Sequence, residues 1–123
     1  MPDNLTPELL SVKASMQEFV TDVLQPATEL ANDDEAILKV RSAAKDRGFY
    51  FKTQPESHGG APANTLELTM LREMLAATNN PLSRYVFGPG PGILHSAEGL
   101  LKTDYMEPVL RGEKTGAFGF TEP

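Results

Sequence analysis

Cysteine is absent from the 123 residues, and that omission excludes disulfides, thiol nucleophiles, iron–sulfur clusters and cysteine-ligated zinc. Histidine is scarce, with His58 and His95 the only imidazoles. His95 and Glu98 are three apart and could share a helix face, yet two ligands fall short of the three or four a zinc site needs, so no metal is expected. No two carboxylates stand at a recognisable spacing in an apolar setting, and no nucleophile-elbow serine motif occurs, so no catalytic residue is assigned.

Apolar runs long enough for a signal sequence or a membrane span are missing too. The first thirty residues hold Asp3, Glu8, Glu18, Asp22 and Glu29 against the single base Lys13, which argues against a mitochondrial transit peptide and favours a cytoplasmic protein. Clustered positive charge is lacking as well. The net charge is -6, and the densest basic stretch, Lys39, Arg41, Lys45 and Arg47, also contains Asp33, Asp34, Glu35 and Asp46. A nucleic-acid partner, whose affinity rests on Lys and Arg displacing counterions, is therefore not expected. Gly88-Pro89-Gly90-Pro91-Gly92 has neither the Lys-Ser/Thr of a phosphate loop nor the strand-turn-helix setting of a dinucleotide fingerprint, and reads as a turn that could border a ligand pocket.

What is present suits one helical domain with a tail. Hydrophobic residues make up 40% and charged residues 23%, far from the composition of disorder. Leu9, Val12, Met16, Phe19, Val20, Val23 and Leu24 are spaced for an amphipathic helix from Thr6 to Leu24, with Thr6 as N-cap, Pro7 at the first helical position and Pro26 ending the pattern. A second helix is expected over about Asp33 to Arg47, acidic at its start, closed by Gly48, with Ile37, Val40 and Ala44 inward. Phe49-Tyr50-Phe51 follows, then a loop from Lys52 to Ala63 broken by Pro55, Gly59, Gly60 and Pro62. Asn64 and Glu67 have the spacing of a capping box ahead of Leu66, Met70, Leu71, Met74 and Leu75, which predicts a third helix stopping near Asn79.

Asn80-Pro81 restarts a short helical segment toward Phe87, and helical spacing resumes at Ile93, Leu94, Ala97, Leu100 and Leu101. Thr103 could cap a last short helix that Pro108 should kink or break, and Gly112 ends the helical part. No internal repeat is evident. Ala117, Phe118, Gly119, Phe120 and Thr121 alternate small and aromatic residues with period two, as one strand would. A lone strand has no partner for its backbone, so the chain is expected to stop where a sheet begins. The fold expected is all-α, a helical bundle of five to six helices with an extended tail.

Gly112-Glu113 followed by Gly116-Ala117-Phe118-Gly119-Phe120-Thr121-Glu122-Pro123 resembles the acyl-CoA dehydrogenase family at its domain junction. There a helix ends in Gly-Glu and a small-and-aromatic strand runs into Thr-Glu-Pro. Upstream landmarks keep the same order: the helix ending at Pro26, Gly48 before an aromatic, Gly59-Gly60, Arg72-Glu73, and Tyr105-Met106-Glu107-Pro108. The resemblance covers nearly the whole chain. It implies an amino-terminal helical domain over residues 1–114 and the first strand of a flavin-binding β-domain over 115–123.

The resemblance further implies a parent that is an FAD-dependent acyl-CoA dehydrogenase, with Phe118, Phe120 and Thr121 against the flavin and Thr121 hydrogen-bonding the isoalloxazine ring. Tyr85, Phe87 and Leu94 would wall the acyl pocket, although the Gly-Pro run between them departs from the family. In the family a glutamate of a later helical domain takes the α-proton while hydride passes from the β-carbon to flavin N5, so this fragment should be inactive. The full-length protein is expected to be a homo-oligomer. Two other readings stand beside this one: a stand-alone helical interaction module, and an acyl-CoA oxidase or flavin monooxygenase of the same fold.

Overall fold

The computed structural model describes residues 5–30, 32–89, 94 and 96–116. Among these every regular element is helical and no strand occurs, as expected of an all-α domain. The expected strand at Ala117–Thr121 lies outside the described residues. The chain divides into two compact units, Met1–Phe87 and Gly88–Pro123.

In the first unit, α1 spans Pro7–Phe19, with Thr6 Oγ1 accepting from the Leu9 amide at 3.2 Å. The helix does not end before Pro26. It passes through a π-turn, Val20–Leu24, into α2, Gln25–Ala27. A proline inside a regular helix removes a donor and drives its ring against the carbonyl four residues back. The π-turn answers this by letting the Gln25 amide reach back five residues to the Val20 carbonyl, which widens the coil just ahead of the ring. The same solution recurs in the second unit: the π-turn Lys102–Met106, with the Glu107 amide on the Lys102 carbonyl, precedes α5, Glu107–Leu110, which carries Pro108. The local sequences are alike, Thr21-Asp22-Val23-Leu24-Gln25-Pro26 and Thr103-Asp104-Tyr105-Met106-Glu107-Pro108. The expectation that Pro26 stops the first helix is corrected, as is a break at Pro108, and Thr103 sits inside the turn rather than capping it.

Helix α3 covers Asp33–Asp46, its Asn32 cap accepting from the Asp34 and Glu35 amides. It buries Ala36, Val40 and Ala44, with Ile37 only partly covered. Gly48 closes it at φ 81°. The Gly48 amide bonds the Lys45 carbonyl and the Phe49 amide the Ala44 carbonyl, the paired pattern that satisfies a helix's last acceptors and needs a left-handed residue. Gly112 does the same for α5 at φ 78°, with its amide on Val109 and the Glu113 amide on Pro108. The Gly-Glu step is thus a helix stop, reinforced by a two-pronged Arg111–Glu113 ion pair at 2.8 and 3.1 Å.

Helix α4, Thr65–Ala77, forms half of the expected capping box. Asn64 Oδ1 accepts from the Glu67 amide at 2.9 Å, while the Glu67 carboxylate pairs with Lys52 Nζ at 3.4 Å across the preceding loop. Both side chains of that pair are largely covered, so the loop is fastened to α4 by charge. Asn64→Ala is expected to lower stability by about 1 kcal/mol through the lost cap, read as a shift in the urea midpoint with unchanged slope; no shift would deny the cap its role. Leu66, expected inward, is 46% exposed.

The first unit's core is built from α1 (Leu9, Met16, Phe19), its continuation (Val23, Leu24, Ala27), α3, Phe49 and Tyr50, α4 (Met70, Leu71, Leu75) and Val86. Burial pushes the Tyr50 phenol above its ordinary value, partly offset by the nearby Arg41 charge, so it stays neutral through the physiological range. In the second unit residues 97–98 are irregular, Gly99 turns at φ 59°, and helix begins only at 100–101, later than the spacing from Ala97 predicts; Ile93 lies outside the described residues. Leu100 is 76% exposed. Met106, Pro108 and Leu110 are buried.

Candidate functional site

The turn between α4 and the short 3-10 segment Pro81–Tyr85 is set by three polar side chains. Thr78 Oγ1 donates to the Leu75 carbonyl at 2.6 Å and accepts from the Asn80 amide at 3.2 Å. Asn79 takes a left-handed φ of 50°, and Asn80 Oδ1 caps the new segment through the Leu82 amide at 2.9 Å. Asn80 Nδ2 also donates to the Leu24 carbonyl at 3.4 Å, pinning the turn to the end of the first helix. Asn-Pro therefore does here what its sequence predicts, and it aims Tyr85 and Phe87 back along α4 and α3.

Phe87 lines a cleft of about 340 Å³ with Arg72, Leu75, Ala76, Ser83 and Arg84. The Arg72 guanidinium lies 5.9 Å from the Phe87 ring centroid. The Tyr85 ring carries a guanidinium from each of two elements, Arg41 of α3 at 5.2 Å and Arg84 at 5.5 Å. Three arginines thus converge on one aromatic corner. None joins the ion pairs of the described residues, which are Arg47–Asp22, Lys52–Glu67 and Arg111–Glu113.

Leu94, the third residue expected at the acyl pocket, belongs to the second unit. There it lines a cleft of about 620 Å³ with Leu101, Tyr105, Val109, Lys114, Thr115 and Gly116. Lys114 Nζ donates to the Asp104 carbonyl at 2.7 Å and stands 4.9 Å over the Tyr105 ring, leaving a wall that is mainly apolar. Phe87 lines the first unit's cleft, Tyr85 contacts it only through the Arg84 guanidinium, and Leu94 lines a separate cleft. Phe118, Phe120 and Thr121, expected at the flavin, lie outside the described residues.

His58 is half-buried, its Nδ1 3.1 Å from Ser57 Oγ, and His95 lies outside the described residues. No group of three or more metal-ligating side chains occurs among the described residues. No helix among them is long and apolar enough to cross a membrane. Arg72, Ser83 and Arg84 were not singled out by sequence as site residues: Arg84 follows no motif, and Arg72 stands out only beside Glu73 as a landmark. Only the reversal of the chain at Asn79-Asn80 places them in one cleft.

The chain belongs to the acyl-CoA dehydrogenase family: residues 6–113 match the model of the acyl-CoA dehydrogenase N-terminal domain. It is 26% identical over 118 residues to the 3-(aryl)acrylate reductase of Clostridium sporogenes, covering 91% of this chain and 31% of that protein. It is 27% identical over 112 residues to the caffeyl-CoA reductase-Etf complex subunit CarC of Acetobacterium woodii, covering 87% of this chain and 28% of that protein. The chain thus spans about a third of the length of these curated relatives. No solved structure matches it significantly.

Proposed function

We propose that the chain is the non-catalytic amino-terminal domain of an FAD-dependent oxidoreductase acting on the α,β carbon–carbon bond of an acyl-CoA thioester. The observation that carries the reading is the family match over residues 6–113, which ends at the helix stop Gly112-Glu113 directly ahead of the small-and-aromatic stretch running into Thr-Glu-Pro. On this reading residues 1–114 are the helical domain and residues 115–123 open the β-domain. Phe118, Phe120 and Thr121 then face the flavin, and Tyr85, Phe87 and Leu94 contribute to the acyl pocket.

FAD, when bound, supplies the hydride acceptor for the β-carbon, since such redox chemistry belongs to the cofactor and the protein positions it. The α-proton goes to a base outside this chain. What these residues contribute is apolar wall and exclusion of water. Full-length protein would act as a homo-oligomer.

Because the relatives named above are called reductases, a second reading runs the same reaction toward the saturated product, with a conjugated 2-enoyl thioester as substrate. The test is the bound-flavin spectrum of the full-length protein. Bleaching by saturated acyl-CoAs is the result expected of a dehydrogenase. Recolouring of the pre-reduced enzyme by 2-enoyl-CoAs, without bleaching by their saturated partners, would establish the reductase. A colourless, unresponsive full-length protein would sink both and favour an interaction module; rapid reoxidation by oxygen after bleaching would point to the oxidase.

A further inference from the structure

We infer that the cleft between α4 and the Pro81–Tyr85 segment is an oxyanion site, built to take a carboxylate or phosphate carried on a small apolar body. The charge supports this first. The chain carries 17 acids against 11 bases, and among the described residues Arg47, Lys52 and Arg111 are held by carboxylates. Arg41, Arg72 and Arg84 do not join an ion pair among the described residues, although they gather around one corner. Glu73 adjoins Arg72 in sequence, but neighbours on a helix point about 100° apart and do not face one another.

The support of these side chains comes second. Arg72 lies over Phe87, and Arg84 over Tyr85, with Arg41 on the same ring. A cation–π contact draws on the charge of a guanidinium and not on its N–H donors, so these contacts hold the two side chains near the cleft and leave the donors for a ligand. A carboxylate or phosphate is what a restrained guanidinium fork recognises, through paired charge-assisted hydrogen bonds.

The third support is the cleft's shape and lining. Both guanidiniums and the Ser83 side chain line one space of about 340 Å³, whose other walls are Leu75, Ala76 and Phe87. That is room for an anionic head and one ring or short chain, at the small end of ligand pockets. Arg41 adds positive potential from behind Tyr85. The site lies wholly within the first unit and shares Phe87 with the proposed acyl pocket, but anion binding to its arginines needs no flavin and can fail independently of the redox reading.

The test is an NMR titration of the 123-residue chain, following arginine Nε–H and backbone amide signals, with inorganic phosphate and separately with benzoate. Ionic strength is held constant with chloride. Saturating shifts confined to Arg72, Arg84, Ser83 and Phe87 are expected. Tighter binding of benzoate than of acetate would identify a carboxylate on an apolar body, and binding of phosphate alone would identify the phosphate class. Arg72→Gln and Arg84→Gln should each weaken binding about tenfold, the loss of one charge-assisted contact, while Arg111→Gln leaves it unchanged. Arg84→Lys, which keeps charge without the fork, should recover only part of the affinity and serves as the check on folding. Shifts that stay linear and spread over the lysines, or glutamine variants that titrate like the parent, would overturn the assignment.

Discussion

Replacing Phe19 by alanine is expected to cost the chain about 3–5 kcal/mol, a large fraction of the stability a domain of this size has to lose. The ring is fully buried at the centre of the first unit's core. It meets Phe49 edge to face at 5.4 Å between centroids, and Arg47 lies 5.8 Å over it from the end of α3. Truncation would open a cavity bounded by α1, α3 and the residues after Gly48, and these are held apart by their own helices, so the space cannot readily collapse. Phe19→Leu fills most of the volume and should cost below about 1.5 kcal/mol. Urea unfolding followed by far-ultraviolet circular dichroism reads the difference. Equal midpoints for the two variants would mean that the Phe19–Phe49 contact does not organise the core.

Gly60→Ala should destabilise by about 3 kcal/mol, at the upper end of overpacking costs. The Gly59-Gly60 pair divides two jobs. Gly59 turns at φ 80° with open space around it, so an alanine there meets only the left-handed backbone penalty of about 1–2 kcal/mol. At Gly60 a Cβ would overlap the backbone carbonyl of Gln54, a group that cannot step aside. The Gly60 amide bonds the Pro55 carbonyl at 3.0 Å and the Ala61 amide the Phe51 carbonyl at 3.1 Å, which folds the loop onto itself and buries Gln54. Thermal melts of the two single variants test the ranking: a Gly59→Ala protein less stable than Gly60→Ala would show that φ, not close approach, governs this loop.

Sequence reading succeeded where one residue controls one local bond pattern. Thr6, Asn64 and Asn80 act as caps because each side chain reaches an amide two or three residues on, and Gly48 and Gly112 stop helices because the left-handed step costs glycine little. It failed at Pro26 and Pro108, where the rule that proline ends a helix was overridden by a π-turn that no spacing of apolar residues announces. It also failed at Leu66, which is 46% exposed, and at residues 97–98, where helical spacing was present but no helix forms.

The candidate site divides the same way. Tyr85 and Phe87 could be named from a resemblance, since a family's motif order survives in sequence; the arginines around them could not. Arg41, Arg72 and Arg84 lie on three elements up to 43 positions apart in the chain, and an ion's surroundings are fixed by what packs beside it, which short-range pattern does not record.

By itself, then, the sequence determined the helical class, the positions of the caps and glycine stops, and the family to which residues 6–113 belong. All of these rest on interactions within a few residues or on motif order along the chain. The tertiary structure alone decided that helices run through two prolines, that the Glu67 carboxylate fastens a loop through Lys52, and that three guanidiniums share one aromatic corner. The π-turns relieve a steric conflict within one turn of helix, and the other two features depend on groups distant in sequence meeting at contact range, where packing sets the geometry.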